Sequence, residues 1–292
     1  MITLPDSFRV LRPYPNVLAF YDGRVAGRRL YSPEPNWIDD GAYELGIASY
    51  AIVSGREALV YDTHISLAHA RAVREALAAE GATKLTVVLS HWHDDHIAGN
   101  EVFADCEILS NRLTAEILAE KREHIESMSP PIKPLVPPTR TFDRETTLTV
   151  GELTVELKQF EIHSPDETLM LFDGLLFAGD ALEDTCTYVS EPERLQAHLA
   201  DLARLKTLKF EKILPNHGAP EIIEAGGYGP ELIEATEAYV RSLLALAPGD
   251  PRAALSLKEF VADDLAAGWA TYFAPYEGVH RRNVDQALAL KS

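Results

Sequence analysis

The chain has 292 residues, 46% hydrophobic and 25% charged, which suits one large domain or two small ones with a core that needs no disulfide support. Its net charge of -18 and pI near 4.9 create a field that repels nucleic acid and anionic membrane surfaces, so the expected partner is a small molecule rather than nucleic acid or membrane. The two cysteines, Cys106 and Cys186, form no C-x-x-C pair, the first residues show no basic stretch leading into an apolar core, and no run reaches the roughly 18 apolar residues of a membrane span, so the expectation is a cytoplasmic protein.

The expected elements begin with a hairpin. Residues 48 to 53 and 58 to 62 are apolar and β-rich, joined by Ser54-Gly55-Arg56-Glu57. A helix follows, with Ser66 as its cap, Leu67, Ala70, Val73 and Leu77 on one face, and Gly81 at its end. Residues 85 to 89 read as a short buried strand, 111 to 127 as helix, and 129 to 140, with five prolines, as an irregular loop. Two hairpins come next, turning at Gly151-Glu152 and at Asp173-Gly174. A helix over about 191 to 206 opens with Ser190 and Glu193 spaced as a capping box, and residues 212 to 215 form a last strand. From about 221 the pattern is helical. The division expected is 1–220 as a core and 221–292 as a helical region packed on it and lining a pocket.

The chemistry concentrates after the strand at 85 to 89, in His91-Trp-His93-Asp-Asp95-His96. A loop leaving a buried strand turns such side chains to one point, and imidazole with carboxylate suits zinc, iron or manganese. His163, Asp180 and His217 stand at the ends of later apolar strands. Each alone reads as an ordinary strand-end residue; their common placement joins them to the first group.

The full set, with Asp180 in Phe-Ala-Gly-Asp-Ala, His217-Gly218, and Asp62 in Val-Tyr-Asp-Thr, resembles the metallo-β-lactamase-fold superfamily over roughly residues 17 to 220. That resemblance implies a four-layer αββα sandwich (α/β, in the α+β sense) with a helical C-terminal extension. It implies that His91, His93 and His163 hold one metal, that Asp95, His96 and His217 hold a second, and that Asp180 bridges them. Two divalent cations, zinc first with iron or manganese as alternatives, would make hydroxide available for attack on an ester, lactone or related acyl bond. Asp95 would also shuttle protons. For Asp62 two readings stand, an anchor behind the metal loop or a strand-end cap.

Among branches of the superfamily, the glyoxalase II and lactonase-like groups share this ligand set. Flavodiiron proteins carry a carboxylate where His93 stands, and true β-lactamases often a cysteine where Asp180 stands. Persulfide dioxygenases, with one iron, are the alternative in another reaction class; a β-lactamase or a phosphodiesterase is a weaker one. His163-Ser-Pro differs from the Pro-Gly-His of many relatives. Tyr188 is a candidate oxyanion donor or a packed aromatic. Trp269, Tyr272, Tyr276 and His280 are candidates for the pocket wall, or else core. Cys186 reads as a small buried residue. The oligomeric state is left open.

Overall fold

In a computed structural model, which describes residues 2–291, two sheets lie face to face between layers of helices. The first sheet holds β1 (Arg9–Tyr14), β2 (Val17–Asp22), β3 (Ile47–Ser54), β4 (Glu57–Tyr61), β5 (Lys84–Val88), β6 (Glu107–Asn111) and β7 (Arg140–Phe142), side by side in that order. Strands β1 to β4 are antiparallel and β4 to β7 parallel. The second sheet runs in the order β12 (Lys212–Leu214), β11 (Leu175–Phe177), β10 (Thr168–Phe172), β9 (Leu153–Gln159), β8 (Glu145–Val150), with β11 and β12 parallel. Both expected hairpins of this sheet form, through Gly151 and Gly174 in left-handed backbone.

Side-chain alternation builds the layers. Val17, Ala19 and Tyr21 of β2 point between the sheets, where they join Tyr50, Tyr61, Leu157, Met170 and Phe177 in the main core. Leu18 and Phe20 of the same strand point the other way and pack with α1 (Leu67–Ala79). Ser66 caps that helix by accepting from the His69 N–H, and Ala70, Val73 and Leu77 form its buried face. Burial of Val73 or Leu77 contributes about 1.5–3 kcal/mol each. The helix is tied to β2 through His69, whose ring sits 2.9 Å from Asp22 Oδ2 and 2.7 Å from Ser66 Oγ.

The remaining helices are α2 (Asp94–Ile97), α3 (Arg112–Glu120), α4 (Arg122–Ser127), α5 (Leu195–Leu205), α6 (Pro220–Glu224), α7 (Glu231–Ala245), α8 (Leu257–Phe260), α9 (Ala262–Ala267) and α10 (Tyr276–Ala289). Leu202 and Leu205 of α5 and Leu232 and Ile233 of α7 cover the second sheet. Tyr239, Leu243, Leu257, Tyr276 and Val284 make a separate core with Cys186, Val189 and Leu195, so the C-terminal helices pack on the loop after β11. Among the described residues no helix is long and apolar enough to cross a membrane.

One expected cap is replaced by another contact. Ser190 does not cap a helix; its hydroxyl donates to the His163 carbonyl at 2.8 Å. The chain passes instead through a tight turn at Pro192–Arg194 with no side-chain cap before α5 starts. His163 has φ 64, and the donor from Ser190 pins that left-handed residue in place.

On α5, His198 is buried and its Nε2 has no partner. Burial, with nearby His163, lowers its pKa from 6.5 to about 3. Below about pH 6.5 the unfolded chain therefore binds a proton there that the folded chain refuses. Stability is complete above that pH and falls by about 1.4 kcal/mol per unit on acidification towards pH 3. A His198→Leu variant should show a urea-midpoint slope against pH shallower by one proton over that window; an unchanged slope would show that His198 takes its proton in the fold.

Candidate metal centre

The site forms at one edge of the sandwich, where the C-terminal ends of β4, β5, β11 and β12 meet the β9–β10 connection. Three tyrosines of the first sheet reach across to it. Tyr61 donates to Thr168 O at 2.5 Å, Tyr50 to Pro215 O at 2.5 Å and Tyr21 to Gly218 O at 3.1 Å. The loops carrying the ligands are thus tied to both sheets.

Two groups of donors result, each with its atoms within 4.8 Å of one another: His91, His93, His163 and Asp180, and Asp95, His96, Asp180 and His217. In the first, His93 Nδ1 lies 2.9 Å from both His91 Nε2 and His163 Nε2, and those two are each 3.8 Å from Asp180 Oδ2. In the second, Asp180 Oδ2 lies 3.2 Å from His96 Nε2 and 3.3 Å from His217 Nε2, while Asp95 oxygens lie 3.4 and 3.2 Å from the same two nitrogens. A tetrahedral ion with ligand bonds near 2.0–2.1 Å has ligands about 3.3 Å apart, which matches these spacings.

The outer nitrogens of four histidines are already engaged. His163 Nδ1 donates to Tyr188 O at 2.9 Å, His217 Nδ1 to Gly46 O at 2.6 Å, and His96 Nδ1 to Asp62 Oδ2 at 2.9 Å. His91 Nδ1 is 2.9 Å from Ser90 Oγ and 3.6 Å from Glu167 Oε2. In the neutral rings the inner nitrogens are therefore lone pairs, several of them facing one another. Burial, with neighbouring histidines, holds His91 low, His93 down to about 3, and His163 low, so these three are neutral imidazoles, the form that can ligate a metal. Burial also opposes charge on His96 and His217, but Asp180 and Asp95 outweigh it and hold both well above the ordinary value. Positive charge is thus demanded where the second group converges. Asp180 Oδ1 is buried without a partner. Lone pairs facing lone pairs beside an unpaired carboxylate oxygen fit divalent cations.

Asp62 lies behind this cluster. It is buried with φ 67, and its two oxygens accept from Ser90 N (2.7 Å), Ser90 Oγ (2.7 Å), His96 Nδ1 (2.9 Å) and Asn216 Nδ2 (2.6 Å). It binds the β5 loop, one histidine and the β12 loop together. Gly179, with φ 53, is required before Asp180, since a Cβ there would lie 1.9 Å from Glu167 Oε1.

The ligands open onto a cleft of about 820 Å³. Trp37, Ala42 and Leu45 line one side, from a segment containing a widened helical turn at Ile38–Tyr43. Tyr188 lines the cleft beside His163, with ring centroids 6.1 Å apart, and its hydroxyl makes no hydrogen bond among the described residues. Glu183 also lines it, its carboxylate taken by Tyr188 N at 2.7 Å and the Tyr276 hydroxyl at 2.9 Å.

The C-terminal aromatic candidates are placed elsewhere. Trp269 and Tyr272, 36% and 39% exposed, are outside the cleft lining, and the Tyr272 hydroxyl donates to Glu277. Tyr276 is buried behind Glu183 and touches the cleft only through it. His280 is buried against Phe260 and hydrogen-bonded to Tyr239 at 3.0 Å. The Tyr272 and Tyr276 hydroxyls and His280 Nδ1 found partners in the interior or at the rim, whereas His280 Nε2 is buried without one among the described residues. From α10 it is Val279 and Arg282 that face the cleft. Cys186 is sealed in the C-terminal core, where burial pushes its thiol up, away from reactivity. Sequence reasoning did not single out the segment around Trp37, Lys121, Arg282 or the Asn216 contact to Asp62. Of these only Asn216, beside His217, carried a signal by position.

A sequence profile of the metallo-beta-lactamase superfamily matches residues 42–217, more than half of the chain and the whole of this ligand set. The chain belongs to the metallo-beta-lactamase superfamily. Curated relatives include a "Beta-lactamase-like protein 2 homolog" of Caenorhabditis elegans, 25% identical over 177 residues (59% of this chain, 56% of that one), and one of Drosophila melanogaster, 25% identical over 192 residues (59% of each). "Putative transcription factor avaE" of Aspergillus versicolor is 30% identical over 143 residues, 44% of this chain and 42% of that one. The chain thus spans little more than half the length of the first two, and less of the third. Among solved structures, a metallo-beta-lactamase from Pontibacter korlensis superposes with TM-score 0.62 at 17% identity, over 80% of this chain and 99% of that one. VMB-1 superposes with TM-score 0.63 at 14% identity, over 83% and 100%. These share the fold.

Proposed function

We propose that this chain is a metal-dependent hydrolase that holds two divalent cations and cleaves an ester, lactone or related acyl bond of a small molecule. The observation that supports it most is Asp180 Oδ2, which belongs to both donor groups and so suits a bridge between two ions. Zinc, lactonase-like chemistry and a cytoplasmic setting belong to this reading, with residues 1–220 as the catalytic core and 221–292 as its helical cover.

When bound, such ions supply Lewis acidity for a carbonyl oxygen and lower the pKa of water towards neutrality. The chain's own groups do the rest. Asp95 is partly buried and borders the cleft, so a carboxylate oxygen is placed to carry a proton from the attacking water to the leaving group. The free Tyr188 hydroxyl is placed to donate to the oxygen that gains charge. Asp62 keeps His96 in the ligating tautomer.

Metal analysis combined with a hydrolysis screen over lactones, thioesters, esters, phosphodiesters and β-lactams tests the reading. Two ions per chain with turnover of an acyl substrate is the expected result. One iron with thiol-dependent oxygen uptake would replace it by a dioxygenase, and protein that binds no metal and is indifferent to His93→Ala would end the enzyme reading. Tyr188→Phe should lower kcat about 100-fold with metal content and KM near wild type, since only the donor to the transition state is lost; a change in KM alone would assign Tyr188 to binding.

A further inference from the structure

We infer that the molecule taken by this cleft is a small organic anion, whose charged head group, a carboxylate or sulfonate for example, is drawn in by the positive charge of Arg282 and Lys121 on the cleft wall. What is done to that molecule rests on the hydrolase reading above; what is recognised rests on separate observations.

Both cations line the cleft, and each stands on an aromatic ring next to a ligand histidine. The Lys121 ammonium lies 4.7 Å from the Trp92 ring centroid, and that ring lies 4.5 Å from the His93 ring. The Arg282 guanidinium lies 5.6 Å from the Tyr188 centroid, and that ring lies 6.1 Å from His163. Two pillars of the same construction thus flank the first donor group, with a cation at the outer end of each. Stacking engages the face of a guanidinium and leaves its in-plane N–H groups free to bind an anion.

Neither side chain makes a hydrogen bond or an ion pair within 4 Å among the described residues, whereas other charges of the cleft wall are satisfied. Asp40 is paired with Arg29 and Glu191 with Arg194, and the oxygens of Glu183 are taken by Tyr188 and Tyr276. Of the other acids of the lining, Asp95 and Asp180 belong to the donor groups, and Asp94 precedes Asp95 in α2. In a chain with 45 acidic and 27 basic side chains, two cations on the same cleft that stand on aromatic rings, feel Glu191 and Glu44 only from beyond ion-pair distance and close no salt bridge among the described residues are a departure that needs a reason. Recognition of an anion supplies it. The overall charge repels such a ligand, so its capture needs local cations. The rings beneath them offer apolar flanks to the body of the ligand.

Equilibrium binding to the metal-loaded protein, followed by calorimetry, tests this with naphthalene-2-sulfonate and the neutral methyl sulfone of the same ring system. The sulfonate is expected to bind at least tenfold more tightly, and to weaken as salt is raised. The Lys121→Glu/Arg282→Glu double variant should lose that preference while its affinity for the sulfone stays within about twofold. Arg282→Lys, which keeps the charge, should retain part of it. Equal affinity of the wild type for both probes, or a preference that survives in the double variant, overturns the inference. Neither probe contains an acyl bond, so the outcome is independent of the hydrolysis screen, which alone decides the reaction.

Discussion

Asp180→Ala should lower turnover of any acyl substrate by more than about 100-fold, the upper end of what loss of a partner one shell further from a metal costs. Asp180 Oδ2 stands within 3.8 Å of four histidine nitrogens, two from each donor group. No other side chain in the site has that position. Its removal takes one candidate ligand from each group at once and leaves His217 with Asp95, and His96 with Asp95 and Asp62, as acidic neighbours. Metal content should fall with activity. The fold should survive, because the Asp180 side chain makes no hydrogen bond outside the donor cluster among the described residues. Retained activity together with two bound ions would remove Asp180 as the bridge. Asp180→Asn separates charge from shape: it should keep the packing and still lose most of the metal affinity, since the amide brings no negative charge to the centre of the cluster.

Asp62→Ala is expected to be the costliest substitution for stability, at about 3–5 kcal/mol, because it strands a buried set of donors that had been paired with one carboxylate. Ser90 N, Ser90 Oγ, His96 and Asn216 all lose their acceptor, and alanine must take a left-handed conformation at φ 67. In a chain of this size that corresponds to a melting temperature lower by roughly 10 °C. Asp62→Asn distinguishes the contributions. Asparagine tolerates the backbone and keeps the volume, so the melting temperature should recover substantially. The carboxylate that orients His96 is still missing, so metal affinity should remain 10–100-fold down. If both variants melted like the wild type, Asp62 would be a strand-end cap and no more.

The candidate donors that the structure gathers were legible because metal chemistry restricts residue types and the fold restricts their place. His91, His93, Asp95 and His96 stand within six positions, and His163, Asp180 and His217 each follow an apolar run that ends at the same edge of the sandwich. Local signals with their own physics were legible too, such as the Ser66 cap and the glycine turns at Gly151 and Gly174. Others were not. The edge strands β1 and β7, and the widened turn before β3, have no strong pattern of their own and exist because neighbours pair with them or pack on them. Ser190 shows the same limit in reverse: the capping-box spacing was present, but the His163 carbonyl took the hydroxyl.

The aromatic cluster after residue 269 was a candidate for the pocket wall, and tertiary packing turned Tyr276 and His280 inward and left Trp269 and Tyr272 outside the cleft. The wall came instead from Lys121, Arg282 and the segment around Trp37, positions far apart in the chain whose roles arise only where they meet. By itself, then, the sequence determined the candidate donor types, their order and the strands they follow, because coordination chemistry and strand periodicity act over a few residues. Only the tertiary structure decided what surrounds them: that Asp180 is shared by both donor groups, that Asp62 joins two loops behind them, and that two cations without a salt bridge among the described residues face the cleft. Those depend on contacts between residues as far apart in the chain as Asp62 and Asn216, 154 positions, which no local pattern encodes.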